Sequence, residues 1–280
     1  MVRELVAARC AIDLLPAPLA RSEEIEAAHD PAYVRAILDG TVDARIMRRI
    51  GFPWSAGLLT RSLASVGGTL AAARDAMTSG IGGNLAGGTH HAFRAEGSGF
   101  CVFNDLAIAI LVLRREGLAR RAAVVDFDVH QGDGTASIFE GDTDVLTVSL
   151  HGENNFPFRK QRSRIDVGLA DGTGDAEYLE HVRRVLREVA AFRPDVVFYQ
   201  AGVDGLAGDR LGRLALTAEG LAERDRLVFN MVLSGTFPVV VTMGGGYADP
   251  IERTTEVHAR TYLLAAEMGL LWTLRGGENL

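Results

Sequence analysis

Hydrophobic and polar positions fall into two kinds of block along the chain. "RAAVVDFD" (121–128), "DVLTVSL" (144–150), "PDVVFYQAG" (194–202) and "TFPVVVTMGGG" (236–246) are nearly continuous apolar runs that end in, or are followed directly by, polar residues or glycines. A strand buried on both faces has that pattern. "IGGNLAGG" (81–88) predicts a weaker strand whose glycines permit close backbone approach. Between these runs the apolar positions recur at helical spacing. Helices are expected over residues 23–38, with Glu23 and Glu24 near the start and Gly40 beyond the end, over 57–79, and over Asn104 to Arg115. Two more are "DAEYLEHVRRVLREVAAF", with Asp175 as its N-cap, and "TAEGLAERDRLVFNMVL", capped by Thr217. Apolar strands alternating with helices predict an α/β fold, a mainly parallel sheet flanked by helices on both faces. Neither a repeat nor a Pro/Ser/Gly linker interrupts the pattern, so residues 1–280 read as one domain.

Composition narrows the function. The 280 residues carry a net charge of −7, without the basic face that phosphate backbones require, so no nucleic-acid partner is expected. The arginine pairs Arg114-Arg115 and Arg120-Arg121 read as solvated faces. Cys10 and Cys101 stand far apart, which fits a reducing, cytoplasmic setting and no disulfide framework. No segment reaches the roughly 18 uninterrupted apolar residues of a membrane span, and the N-terminus has no signal-peptide pattern.

Polar residues gather where the predicted strands end: "THH", "VHQGDG", "HGENNFPF", "VDG" and "GGGY". Ligands of open α/β sheets bind at the carboxyl ends of the strands, so these loops point at one crevice. In "DFDVHQGD", Asp126, Asp128 and His130 are two residues apart and share one side if extended geometry persists. An Asp and a neutral His at that spacing chelate a divalent cation, and Asp204 in "AGVDG" is the best candidate for a third ligand. Such a set leaves an open coordination position, as a catalytic zinc requires. Two adjacent histidines, His90 and His91, precede this loop, while Asp126 and Asp133 remain to orient them. Two His–Asp pairs beside one metal make a hydrolytic site in which a metal-bound water is the nucleophile. Tyr247, after Gly244 to Gly246, is placed to donate a hydrogen bond to a carbonyl oxygen gaining charge.

Together "GGTHHAF", "GSGFCVFNDLAIAI", "VVDFDVHQGDGT", "AGVDGLAGDRLG" and "GGGY" resemble the zinc-dependent histone deacetylase family, in order, across residues 22 to about 265. "IGFPWS" and the segment from Gly205 to Phe229 look most like its class IV branch and related bacterial deacetylases. The resemblance implies the three-layer arginase/deacetylase fold with about eight strands. It also implies a deacetylase-type catalytic domain that hydrolyses the amide of an acylated lysine, in protein or peptide, or of a small acylated amine. It assigns Asp128, His130 and Asp204 to zinc, and His91 to general base and acid with His90 as its electrostatic companion. Asp126 pairs with His90, Asp133 pairs with His91, and Tyr247 polarises the acyl carbonyl. Gly99, Phe100 and Phe156 line the acyl tunnel. A structural potassium is implied at the backbone carbonyls of Asp126, Asp128 and His130, with Ser149 and Leu150.

Two departures stand out. Many family members carry an Asp in the loop that here reads "RIGFPWS", with Gly51 and Phe52, so acyl identity is expected to matter more than peptide sequence. The opening "MVRELVAARC" also reads as already inside the family's first helix, which predicts that roughly 20 to 40 residues carrying the family's first strand are missing. The competing chemistries are a binuclear-manganese ureohydrolase of the same fold and a catalytically silent acyl-lysine binder. The ureohydrolase needs further carboxylates, and "VDGLAGD" offers no D-x-D.

Overall fold

A computed structural model describes residues 1–10 and 12–276; Ala11 and residues 277–280, within the expected 1–280 domain, lie outside the described residues. Six strands form one all-parallel sheet: β1 (Ile81–Asn84), β2 (Ala122–Asp126), β3 (Val145–Gly152), β4 (Ile165–Leu169), β5 (Val196–Gln200) and β6 (Val239–Thr242). Their spatial order is β1-β6-β5-β2-β3-β4. The described residues thus form six strands where about eight are implied by the resemblance. The strand reading missed β4, whose alternately exposed positions at the sheet edge give no continuous apolar run.

Side-chain alternation divides the core into two layers. From β2, Ala122 and Val124 face one layer while Ala123 and Val125 face the other; Phe198 and Tyr199 of β5 divide the same way. The first layer is covered by α2 (Ser22–Ile25), α3 (Pro31–Asp39), α4 (Ala44–Ile50), α5 (Ala56–Ser79), α6 (Asp105–Arg115) and the short α7 (Asp133–Ile138). On the second lie α8 (Asp175–Phe192), α9 (Ala218–Gly235) and α10 (Ile251–Gly276), with α1 (Val2–Arg9) packed on α10 and Val6 reaching the core.

Local chemistry explains the helix ends. Ser55, Asn104 and Thr217 cap α5, α6 and α9 by accepting backbone N–H groups of Leu58, Ala107 and Gly220. The single helix expected over 23–38 is two. Pro31 lacks an N–H and disfavours helical geometry at Asp30, whose carboxylate instead caps α3 through Ala32 N and Tyr33 N. Asp175 is not the cap of α8 either. Gly174 holds that position, and the Asp175 carboxylate accepts from the backbone N and hydroxyl of Thr217, joining α8 to the start of α9.

Helix α2 is fastened by Glu24, which is buried. Its carboxylate accepts from Arg21 N at 2.9 Å, Arg21 Nη2 at 3.1 Å and Arg74 Nη2 of α5 at 3.1 Å. Arg74 also bonds Glu116 at the end of α6. Burial alone would raise the Glu24 carboxyl, but these hydrogen bonds outweigh it and hold it at about 2. A depressed folded value contributes stability above the ordinary carboxyl range that is lost as pH falls through it. Glu24→Gln is therefore expected to cost about 1–2 kcal/mol at pH 7, a discounted figure because both arginines are partly exposed. Denaturant titrations should show the difference shrinking between pH 4.5 and 2; a pH-independent difference would refute the ionic role.

Candidate active site

From the centre of the sheet, β2 leads to β3 and β4 on one side and β5 leads to β6 and β1 on the other. The loops after β2 and β5 consequently diverge, opening a crevice at their carboxyl ends. Asp126 ends β2, Asp128 and His130 follow it, and Asp204 follows β5. His130 Nδ1 lies 3.0 Å from both Asp128 Oδ1 and Asp204 Oδ2. The remaining carboxylate oxygens are held by backbone: Gly245 N donates to Asp128 Oδ2 at 2.7 Å, and Val129 N to Asp204 Oδ1 at 2.8 Å. An imidazole Nδ1 carries at most one hydrogen, so it cannot satisfy two carboxylates at once. Two carboxylates and an imidazole with ligand atoms within 4.8 Å of one another fit a divalent cation. Among the described residues this is the one such group. Burial and the neighbouring Asp128 push Asp204 up to about 7, while the two carboxylates overcome burial and raise His130 to about 10.

The paired histidines reach this group because their segment is not extended. His90 and His91 occupy a turn in which Ala92 N approaches Thr89 O at 3.5 Å, and both rings face the same side, with centroids 4.1 Å apart. His90 Nδ1 meets Asp126 Oδ2 at 2.7 Å, and His91 Nδ1 meets Asp133 Oδ1 at 2.7 Å. The two Nε2 atoms are 3.1 Å apart. Burial would lower His90, but the charge and hydrogen bond of Asp126 raise it to about 9. Burial, reinforced by the positive charge of His90, takes His91 down to about 4 in spite of Asp133. At neutral pH the charged His90 thus donates to Asp126, while the neutral His91 keeps its N–H on Asp133.

Above this floor lies a cavity of about 680 Å³ lined by His90, His91, Asp128, His130, Asp204 and Tyr247, with Gly99, Phe100 and Phe156 as walls. Phe156 stands edge-on to His91, with ring centroids 5.0 Å apart. At φ +51°, Gly99 passes so close that a Cβ there would lie 2.6 Å from His91. Phe100 adopts φ +66°, a strained left-handed conformation for a bulky residue. Backbone bonds from Gly99 N to Arg49 O and from Phe100 N to Ile50 O hold it. Asp126 and Asp133 sit behind the histidines, outside the lining. Burial and the Asp128 and Asp204 charges hold the Tyr247 phenol above its ordinary range, so it remains a donor.

This arrangement accompanies a clear kinship. The chain matches the histone deacetylase domain over residues 1–262. It belongs to the histone deacetylase family. An uncharacterized protein of Picosynechococcus sp. is 48% identical over 87% of this chain and 82% of its own length. Histone deacetylase 8 of Xenopus laevis is 32% identical over 90% of the chain and 81% of its own length. The acetoin utilization protein AcuC of Bacillus subtilis is 32% identical over 90% and 70%. The parallel sheet and its flanking helices are those of the arginase/deacetylase fold, and the family supports a hydrolase of the deacetylase type. Among the described residues, no helix is long and apolar enough to cross a membrane.

Sequence reasoning missed the residues that hold the candidate site from behind. The buried Asp105 carboxylate accepts from Gly88 N, Thr89 N and the hydroxyls of Thr89 and Thr69, at 2.6–2.9 Å. Gln200 donates to Gly88 O, where φ is +80° and a Cβ would lie 1.9 Å from Gln200 Oε1. Arg224 and Asp225 form a buried pair on α9, and Arg224 Nη1 reaches Gly202 O beside Asp128. An available signal was charge set against apolar faces, as in "NDLAIAI" and "ERDRLVF". Asp105→Ala leaves the Gly88 and Thr89 N–H groups unsatisfied. It is expected to cost about 2–4 kcal/mol and to release the histidine turn. Denaturant unfolding checks this, and an unchanged midpoint would show that the turn is held elsewhere.

Proposed function

We propose that the protein is a zinc-dependent deacylase acting on an acylated lysine, in protein or peptide, or on a small acylated amine. The observation that carries this reading is the pair of facing His–Asp dyads beside an Asp-His-Asp donor set at the bottom of one aromatic-walled cavity. Asp128, His130 and Asp204 would hold one zinc ion, which when bound supplies Lewis acidity and a water of lowered pKa. His91, neutral at physiological pH, takes the proton of the attacking water at Nε2 and returns it to the leaving amine. His90 stays charged against Asp126 and favours the negative charge that develops beside it. Tyr247 donates its hydroxyl to the carbonyl oxygen as that oxygen gains charge. Gly99, Phe100 and Phe156 enclose the acyl group and its alkyl stem. Pairing of β2 with β3 sets Asp126 opposite Ser149, which supports a structural potassium at the Asp126, Asp128, His130, Ser149 and Leu150 positions. Both cysteines are free, in keeping with a cytoplasmic setting, and we treat residues 1–280 as one catalytic domain.

Elemental analysis with a turnover assay on acyl-lysine peptides tests this reading. One zinc per chain with amide hydrolysis supports it; two manganese ions with urea release, or binding without turnover, would replace it. Asp204→Ala is expected to lose stoichiometric zinc, because two ligands under-coordinate the ion; full occupancy would remove Asp204 from the site. Tyr247→Phe should lower kcat by about 10² to 10³ with KM little changed, since the lost hydrogen bond strengthens only as charge develops. A rise in KM alone would make Tyr247 a substrate-binding residue.

A further inference from the structure

The mouth of the cavity is positive on a chain whose net charge is −7. Arg49, Arg210 and Arg213 line it, while the lining carboxylates, Asp128 and Asp204, are fully buried at the floor. Two of the three guanidiniums are neutralised: Arg49 pairs with Glu96, and Arg213 with Asp171 at 3.3 Å. Arg210 has no ion pair among the described residues. Its Nε donates to the Tyr247 carbonyl oxygen at 3.2 Å, which orients the side chain beside Tyr247 and leaves the terminal nitrogens uncommitted. The loop carrying Arg210 is itself rigidly set. Asp209, buried, accepts from the backbone of Tyr247, Leu211 and Gly212 at 2.6–2.9 Å. On the same rim Leu211 is exposed, offering apolar surface beside the charge.

A lysine acylated at Nζ has lost its own positive charge. The charge that the mouth reads therefore comes from groups at the other end of the alkyl stem. A cationic flank meets Arg210 and finds, among the described lining residues, no carboxylate but the two buried at the floor; an anionic flank finds an uncompensated guanidinium, able to bind a carboxylate bidentately.

We propose that the mouth selects acylated amines bearing a carboxylate at the far end of the amine's alkyl stem, with Arg210 as the specificity-determining residue. This rests on the deacylase reading and names its substrate class. The probe is a matched pair, Nα-benzoyl-Nε-acetyl-lysine with a free α-carboxylate and the same compound as its carboxamide. These differ by one charge and little else. In steady-state kinetics on the zinc-loaded enzyme at low salt, kcat/KM should favour the carboxylate by about fivefold, through KM, in keeping with one partly exposed ion pair. Raising the salt to about 0.5 M should shrink the ratio. Arg210→Gln should abolish it and Arg210→Lys should keep most of it. The ratio cancels any uniform loss caused by disturbing the Tyr247 carbonyl. A wild-type ratio near one or favouring the carboxamide, or a ratio unchanged in Arg210→Gln, overturns the proposal. If neither compound is hydrolysed, calorimetric binding of the same pair separates the two ideas. An Arg210-dependent carboxylate preference then keeps the selective mouth and removes the deacylase reading, whereas equal binding, or none, overturns the selective mouth.

Discussion

Four carboxylates, Asp126, Asp128, Asp133 and Asp204, are buried at the end of one sheet, and the cost of burying that much negative charge organises everything near it. Each is answered by a specific partner. Asp126 and Asp133 take imidazole N–H groups, and Asp128 and Asp204 share His130 and accept backbone N–H groups from Gly245 and Val129. The last pair is left competing for a single nitrogen, which is the electrostatic condition that a divalent cation relieves. The same charges split the two adjacent histidines, raising His90 to about 9 while burial and His90 take His91 to about 4. One turn therefore holds two identical side chains shifted in opposite directions, because their neighbours differ.

Holding such a cluster requires rigid backing. Asp105, Gln200 and the Arg224–Asp225 pair contact backbone atoms of the loops, not the reacting groups. Their role is positional: they fix Gly88, Thr89 and Gly202, which in turn fix the histidine turn and the Asp128 loop. The strained Phe100 belongs to the same scheme, since its two neighbouring backbone bonds tie the tunnel wall to the end of α4. The geometry of the candidate site thus depends on buried polar groups outside the cavity lining.

Much of this was legible in the chain itself. Continuous apolar runs marked β2, β3, β5 and β6 because burial on both faces leaves no room for alternation, and the polar residues just beyond them marked the crevice. Thr217 was recognised as a cap because its chemistry is local. Reading failed where the deciding partner was distant. Asp175 looks like a cap but bonds Thr217, 42 residues away. The edge strand β4 has no buried run to announce it. The break at Pro31 was locally encoded and was overridden in reading by the apolar period around it.

By itself the sequence determined the α/β alternation, the D-x-H spacing, the adjacent histidines and the lone aspartate of "AGVDG", all set by short-range pattern. Only the tertiary structure decided which carboxylate faces which imidazole, how adjacent rings come to share one side, and that Asp105 and Gln200 brace the turn. Among the described residues it also left Arg210 without a counter-ion at the mouth. Those outcomes depend on groups that the crossovers of a parallel sheet bring together from positions tens of residues apart, and charge interactions inside a protein are governed by distance in space and by burial, neither of which the order of residues records.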